Sequence, residues 1–200
     1  LEALLVDPST PTEALDDLQA ALDLVRTLDG LLTAGDLPGL NHAFSAAAVS
    51  VLRAFKHGAP TGALETQLVL ARAQALDTPF LLDASLAMVA VAKSALAPSA
   101  ALPHLINAFR DTERSLDFFL AGDLGKTLGS FHTLGVHLQN AARKGAEVDE
   151  IFDMLTVTAR TTAEAVVARL AERMGDYLPT VENAEQLLTK AEELLAAGDT

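Results

Sequence analysis

The chain has no cysteine, no tryptophan, a single tyrosine and only 4% aromatic residues. Without thiols it makes neither disulfides nor thiolate metal sites. With so few rings, its core must be built from Leu, Ala and Val, side chains suited to closely approaching helices. Basic residues are also scarce: 14 Lys and Arg stand against 27 Asp and Glu, for a formal net charge of −13 over 200 residues. A phosphate backbone or an anionic membrane surface would be repelled by that balance, so direct nucleic-acid or membrane binding is not expected.

Long hydrophobic runs are missing too. The most apolar stretch, residues 80–97, is interrupted by Asp83 and Lys93 and falls short of the ~20 apolar residues a membrane span needs, so it reads as a buried helix. No basic segment followed by an apolar run and a cleavage site opens the sequence, which makes a cytoplasmic location the expectation.

Chemistry-bearing motifs are equally thin. There is no glycine-rich phosphate loop, nucleophile elbow or dinucleotide fingerprint. His132 and His137 are five apart, which sets them on different sides of a helix, and no Glu stands three residues before any His, so the di-iron carboxylate pattern is absent. The adjacent acids Asp16 and Asp17, and Glu192 and Glu193, decorate solvated faces. The expectation is a protein that is not an enzyme, with no catalytic residue, metal or cofactor.

What the sequence does contain is helix periodicity. From Pro11 to Ala34 the residues Leu15, Leu18, Leu22, Val25 and Leu28 recur at three and four. Thr10 with Glu13 reads as a capping box around Pro11 at the first helical position. Gly35 then ends the helix and Asp36 caps the next. Further helices are expected over about 37–57, 62–76, 80–96, 100–121 and 123–144. In residues 148–174 the β-branched pair Thr161 and Thr162 predicts a break. Gly175 to Pro179 reads as a loop, and a polar last helix over 180–198 would cap the apolar face. No strand alternation is visible.

The most informative feature is a repeat. Ala34-Gly35-Asp36-Leu37 recurs as Ala121-Gly122-Asp123-Leu124, a shift of 87. At the same shift Phe44 meets Phe131, Val49 meets Val136, Ala54 meets Ala141, and Gly58-Ala59 meets Gly145-Ala146. A third Ala-Gly-Asp stands at 197–199. Independent helix-turn-helix chemistry could produce the turns alone; the matches beyond them favour an internal duplication over residues 10–96 and 97–183, within one helical domain spanning 1–200. Second helices would start near 36, 78, 123 and 161, intervals that suit a helical-hairpin repeat.

Ala34-Gly35-Asp36-Leu37 followed by Leu40, Phe44 and Ala47 resembles the turn and second helix of a tetratricopeptide repeat. The run from Ala71 to Leu82 is similar to the degenerate repeats of large bacterial transcriptional regulators. The first-helix position filled by Leu24 is Asp111 in the second copy, a departure from the family pattern. The resemblance implies an all-α, right-handed solenoid of about eight or nine helices in stacked antiparallel hairpins; a compact duplicated bundle is the alternative fold. It also implies a protein–protein interaction or scaffold module that binds a peptide or helix in its groove, as part of a larger regulator. The alternative function is a sensory domain that holds a small apolar ligand between helices.

One polar stripe stands out. Asn107, Arg110 and Arg114 share a helix face by their spacing of three and four. Pairing with Glu113, Asp117 or a neighbouring helix would explain the arginines structurally; the functional reading is contact with an anion or an acidic peptide, because guanidinium grips carboxylate through two parallel hydrogen bonds. The high apolar fraction would also allow a homo-oligomer through an exposed Leu-rich or Ala-rich face.

Overall fold

A computed structural model describes residues 1–94 and 98–196, with side chains to residue 172. Among the described residues the chain is all-helical, with no strand. The helices are α1 (Glu2–Leu5), α2 (Thr12–Ala34), α3 (Leu37–Lys56), α4 (Leu64–Ala75), α5 (Leu82–Lys93), α6 (Leu102–Leu120, entered through a 3₁₀ turn at Ser99–Ala101), α7 (Leu124–Arg143) and α8 (Asp149–Ala196). Residues 1–162 form one compact unit and residues 163–200 a second. No helix among the described residues is long and apolar enough to cross a membrane.

Two corners of the first unit are built alike. Gly35 and Gly122 adopt φ of 68° and 71°, which only glycine reaches without strain. The amide of the next residue donates back into the helix, Asp36 to the Leu31 carbonyl at 3.0 Å and Asp123 to the Phe118 carbonyl at 2.9 Å. Each Asp then caps the following helix, its carboxylate accepting from the Gly39 or the Lys126 amide at 3.0 Å. The far ends of the hairpins match as well: Gly58 and Gly145 have φ of 92° and 90°, and a Cβ on them would lie 3.4 Å from the Pro11 ring and 3.2 Å from the Pro98 ring. These equivalent pairs are again 87 residues apart. The hairpins are therefore α2 with α3 and α6 with α7.

Between them, α3 is the most enclosed helix. It packs on α2, α4, α5 and α6, because small residues on several of its faces, Ala43, Ala47, Ala48 and Ala54 among them, let neighbours approach. The contact with α6 skips two intervening helices, which stacking of sequence neighbours alone does not produce. The main apolar core joins Leu52 of α3, Met88 of α5, Phe109 of α6 and Leu138 of α7 with Ile151 and Leu155 from the first turns of α8.

Several sequence expectations need correction. Pro11, with ψ of 142°, is the cap residue instead of the first helical one, so the Thr10–Glu13 box does not form and the buried Thr10 hydroxyl has no hydrogen-bond partner. Helix α5 begins at Leu82, two residues late, because Asp77 and Leu81 both take left-handed φ, 48° and 58°. The predicted break at Thr161-Thr162 is absent: the Thr161 hydroxyl donates to the Val157 carbonyl at 3.1 Å and Thr162 to Thr158 at 2.8 Å, so both polar groups are satisfied inside a continuous helix. The predicted loop at 175–179 and the separate helix from 180 are likewise one helical backbone running to Ala196. The expected ends at 96 and 198, and the third Ala-Gly-Asp, lie outside the described residues.

Candidate functional site

The α3–α6 seam carries most of the unusual polar chemistry. From α3, His42, Ala46, Val49, Ser50 and Arg53 recur at near-helical spacing and share a face; from α6, Arg110, Glu113, Arg114 and Asp117 do the same. Together they wall a groove of about 430 Å³. Arg110 and Arg114, singled out above by spacing, are exposed and both line it. Asn107, one turn earlier on α6, is half-buried and is not one of its walls.

The two carboxylates of the groove are already engaged. Glu113 lies 2.6 Å from His42 Nδ1, and Asp117 accepts from the buried Asn41 amide at 3.0 Å, which also donates to the Glu113 carbonyl at 2.8 Å. Burial pushes the Asp117 carboxyl up, partly offset by the Asn41 hydrogen bond and by His42. None of Arg53, Arg110 and Arg114 has a carboxylate within 4 Å among the described residues, so the local pairing with Glu113 or Asp117 is not formed. Three of the chain's nine arginines thus face one groove without an ion pair among the described residues, although the charge of Arg114 is felt by Asp111 one turn earlier on α6.

Behind the groove the polarity continues inward. Arg72 of α4 is only 2% exposed; its guanidinium donates to Ser45 at 3.0 Å and Ser85 at 2.9 Å and lies over the Phe109 ring. Burial lowers its pKa to about 10, opposed by the charge of Glu113. On the other side, the buried Asp111 faces His137 of α7 at 3.6 Å, too long for a hydrogen bond, and neither Asp111 Oδ2 nor His137 Nδ1 has a hydrogen-bond partner. Burial raises the Asp111 carboxyl, with His137 and Arg114 acting against it. His42, Arg53 and the Asn41 anchor are site residues that periodicity on α6 alone could not reach, since nothing in the sequence says that α3 lies against α6.

A second concavity, of about 600 Å³, opens between the N-terminal residues 1–3, α2, α3 and α4. Its walls are mostly apolar, with Leu22, Val25 and Leu28 joined by Phe44, Leu68 and Ala71, and Glu2 and Gln67 are the lining residues with polar side chains. Among the described residues no group of three acidic or histidine side chains is placed to hold a metal ion. Compared with the models of known protein families, with characterised proteins and with solved structures, the chain matches none.

Proposed function

We propose that the chain is a tetratricopeptide-like interaction module, part of a larger cytoplasmic regulator, and that the α3–α6 groove binds an acidic peptide or the acidic face of a helix. The observation that carries this reading is the convergence of Arg53, Arg110 and Arg114 from two helices on one groove, none of them within 4 Å of a carboxylate among the described residues. Guanidinium groups in such an arrangement offer paired donors to carboxylates at low desolvation cost. The net charge of −13 repels an acidic partner at a distance, but charges beyond the ~8 Å Debye length at physiological salt are largely screened, so the contacts inside the groove decide. The reading is of a binder, not a catalyst.

A direct test uses two fluorescein-labelled helical peptides, one carrying glutamates on one face and its glutamine twin, titrated by anisotropy. The glutamate peptide should bind at least tenfold more tightly, and the paired substitution Arg110→Ala with Arg114→Ala should erase that preference. Equal binding of the two peptides would refute the proposal.

The apolar concavity supports a second reading, a regulatory domain that holds a small apolar ligand. Its ~600 Å³ lies in the range of ligand sites. Saturable binding of a fluorescent alkyl probe, lost in Leu68→Glu, would favour it over the first.

A further inference from the structure

The last helix hides a seven-residue repeat. Starting at Ala163 and passing through Val167, Leu170, Met174, Tyr177 and Val181 to Leu195, an apolar residue stands at every step of alternating four and three. All ten such positions are filled, five at a and five at d of a heptad. With half of the chain hydrophobic, ten out of ten arises by chance about once in a thousand for a given register, and still under about one in a hundred across all seven. Gly175 and Pro179, which made this stretch look like a loop, fall at b and f, away from the seam.

The backbone is helical across the whole repeat. At 1.5 Å per residue it runs about 50 Å. The two large seam residues with described side chains are strongly exposed, Val167 at 64% and Leu170 at 53%. A straight helix drifts about 20° per heptad away from a strict seven-residue stripe, so an unbroken stripe of nearly five heptads stays on one side only when the helix supercoils around a companion. That companion must supply a similar length of the same repeat. The longest other helix among the described residues, α2 with 23 residues, is shorter and already lies along α3.

We infer that residues 163–196 are a coiled-coil segment whose partner is the same segment of a second copy of this chain. The inference does not depend on the α3–α6 groove. Leucines at g, Leu187 and Leu194, widen the seam and allow more than two strands, so any integer multiple of the chain mass meets it.

The test is the mass of the full chain by light scattering after gel filtration. A value of at least twice 21.0 kDa is expected, returning to the single-chain mass in the double variant Val167→Glu, Leu170→Glu while the thermal transition of the first unit is retained. Because the chain has no cysteine, Leu170→Cys and Leu188→Cys give a second readout. Oxidation should yield a covalent dimer, from either variant alone if strands are parallel and from their mixture if antiparallel, whereas Glu172→Cys at the outward f position should not cross-link. A single-chain mass at 100 µM, as when the seam folds back on its own chain, or an oligomer indifferent to the two charges, would overturn the inference.

Discussion

Glu65 and Lys93 form an ion pair at 2.6 Å that ties the start of α4 to the end of α5, with the Glu65 side chain wholly buried. The Thr61 hydroxyl donates to the second carboxylate oxygen at 2.7 Å and accepts from the ammonium at 3.1 Å, and the ammonium lies 4.6 Å from the centre of the Phe55 ring. Such a pair is held by mutual dependence: removing one partner strands the other charge without solvent, at a cost of roughly 3–5 kcal/mol, whereas replacing both with apolar groups of similar size is close to neutral. Lys93→Met should therefore destabilise the first unit by about that much in urea unfolding, and the double variant Glu65→Leu, Lys93→Met should recover most of the loss. A double variant as unstable as the single one would contradict this.

Glycines distinguish turn geometry from tolerance. Gly145, at φ of 90° and with the Pro98 ring 3.2 Å from where a Cβ would stand, meets both backbone strain and a close neighbour. Gly30, inside α2 with nothing within 4 Å, meets neither. Gly30→Ala should stabilise by about 0.5–1 kcal/mol through helix propensity and reduced unfolded-chain entropy, while Gly145→Ala should destabilise by more than that. Gly58→Ala should behave like Gly145→Ala, since its φ is 92° and Pro11 stands at the equivalent place. Thermal melts of the three single variants check the ordering.

Much of this could be read in advance. The Ala-Gly-Asp-Leu corners were legible because a left-handed glycine followed by a capping aspartate is local chemistry, decided within four residues. Packing was not legible: α3 has small residues on several faces, and no periodicity says which of them meets α6, so His42 and Arg53 could not be joined to Arg110 and Arg114. The helix from Asp149 onward misled for the opposite reason. Thr161, Thr162, Gly175 and Pro179 each lower helix preference locally; the threonine hydroxyls are satisfied within the preceding turn, and the continuous apolar stripe acts over a longer range.

In the α3–α6 groove, the arginines should differ from the acids in what their loss does. Arg114 and Arg110 are exposed; replacing Arg110 by Ala should leave stability within about 0.5 kcal/mol, replacing Arg114 should cost somewhat more because its charge offsets part of the desolvation of Asp111, and losing both should lower affinity for the glutamate peptide by about tenfold, the 1.4 kcal/mol equivalent of one charge-assisted contact. Asn41 is fully buried and bridges Glu113 and Asp117. Asn41→Leu should therefore lower stability by about 1–3 kcal/mol, measured by urea unfolding. Peptide titration separates the two roles, because a purely structural arginine pair would leave affinity unchanged.

The pH dependence of Asp111 follows from its burial. Its carboxyl is raised above the ordinary value because the charged form is desolvated between α6 and α7, with His137 and Arg114 recovering only part of that cost. In the window between the unfolded and the raised folded value, the folded state binds more protons than the unfolded one, so this group's contribution to stability falls as pH rises and is fully adverse above the window. Asp111→Asn keeps the shape and removes the ionisation. Relative to the parent chain, its melting temperature should thus stand higher at pH 7 than at pH 4, the gain falling within that window. The first hairpin supplies a control, because the residue equivalent to Asp111 there is Leu24, which does not titrate: Leu24→Asn should shift the melting temperature by the same amount at both pH values. A flat difference between Asp111→Asn and the parent across that range would mean that Arg114 and His137 already compensate the buried charge in full.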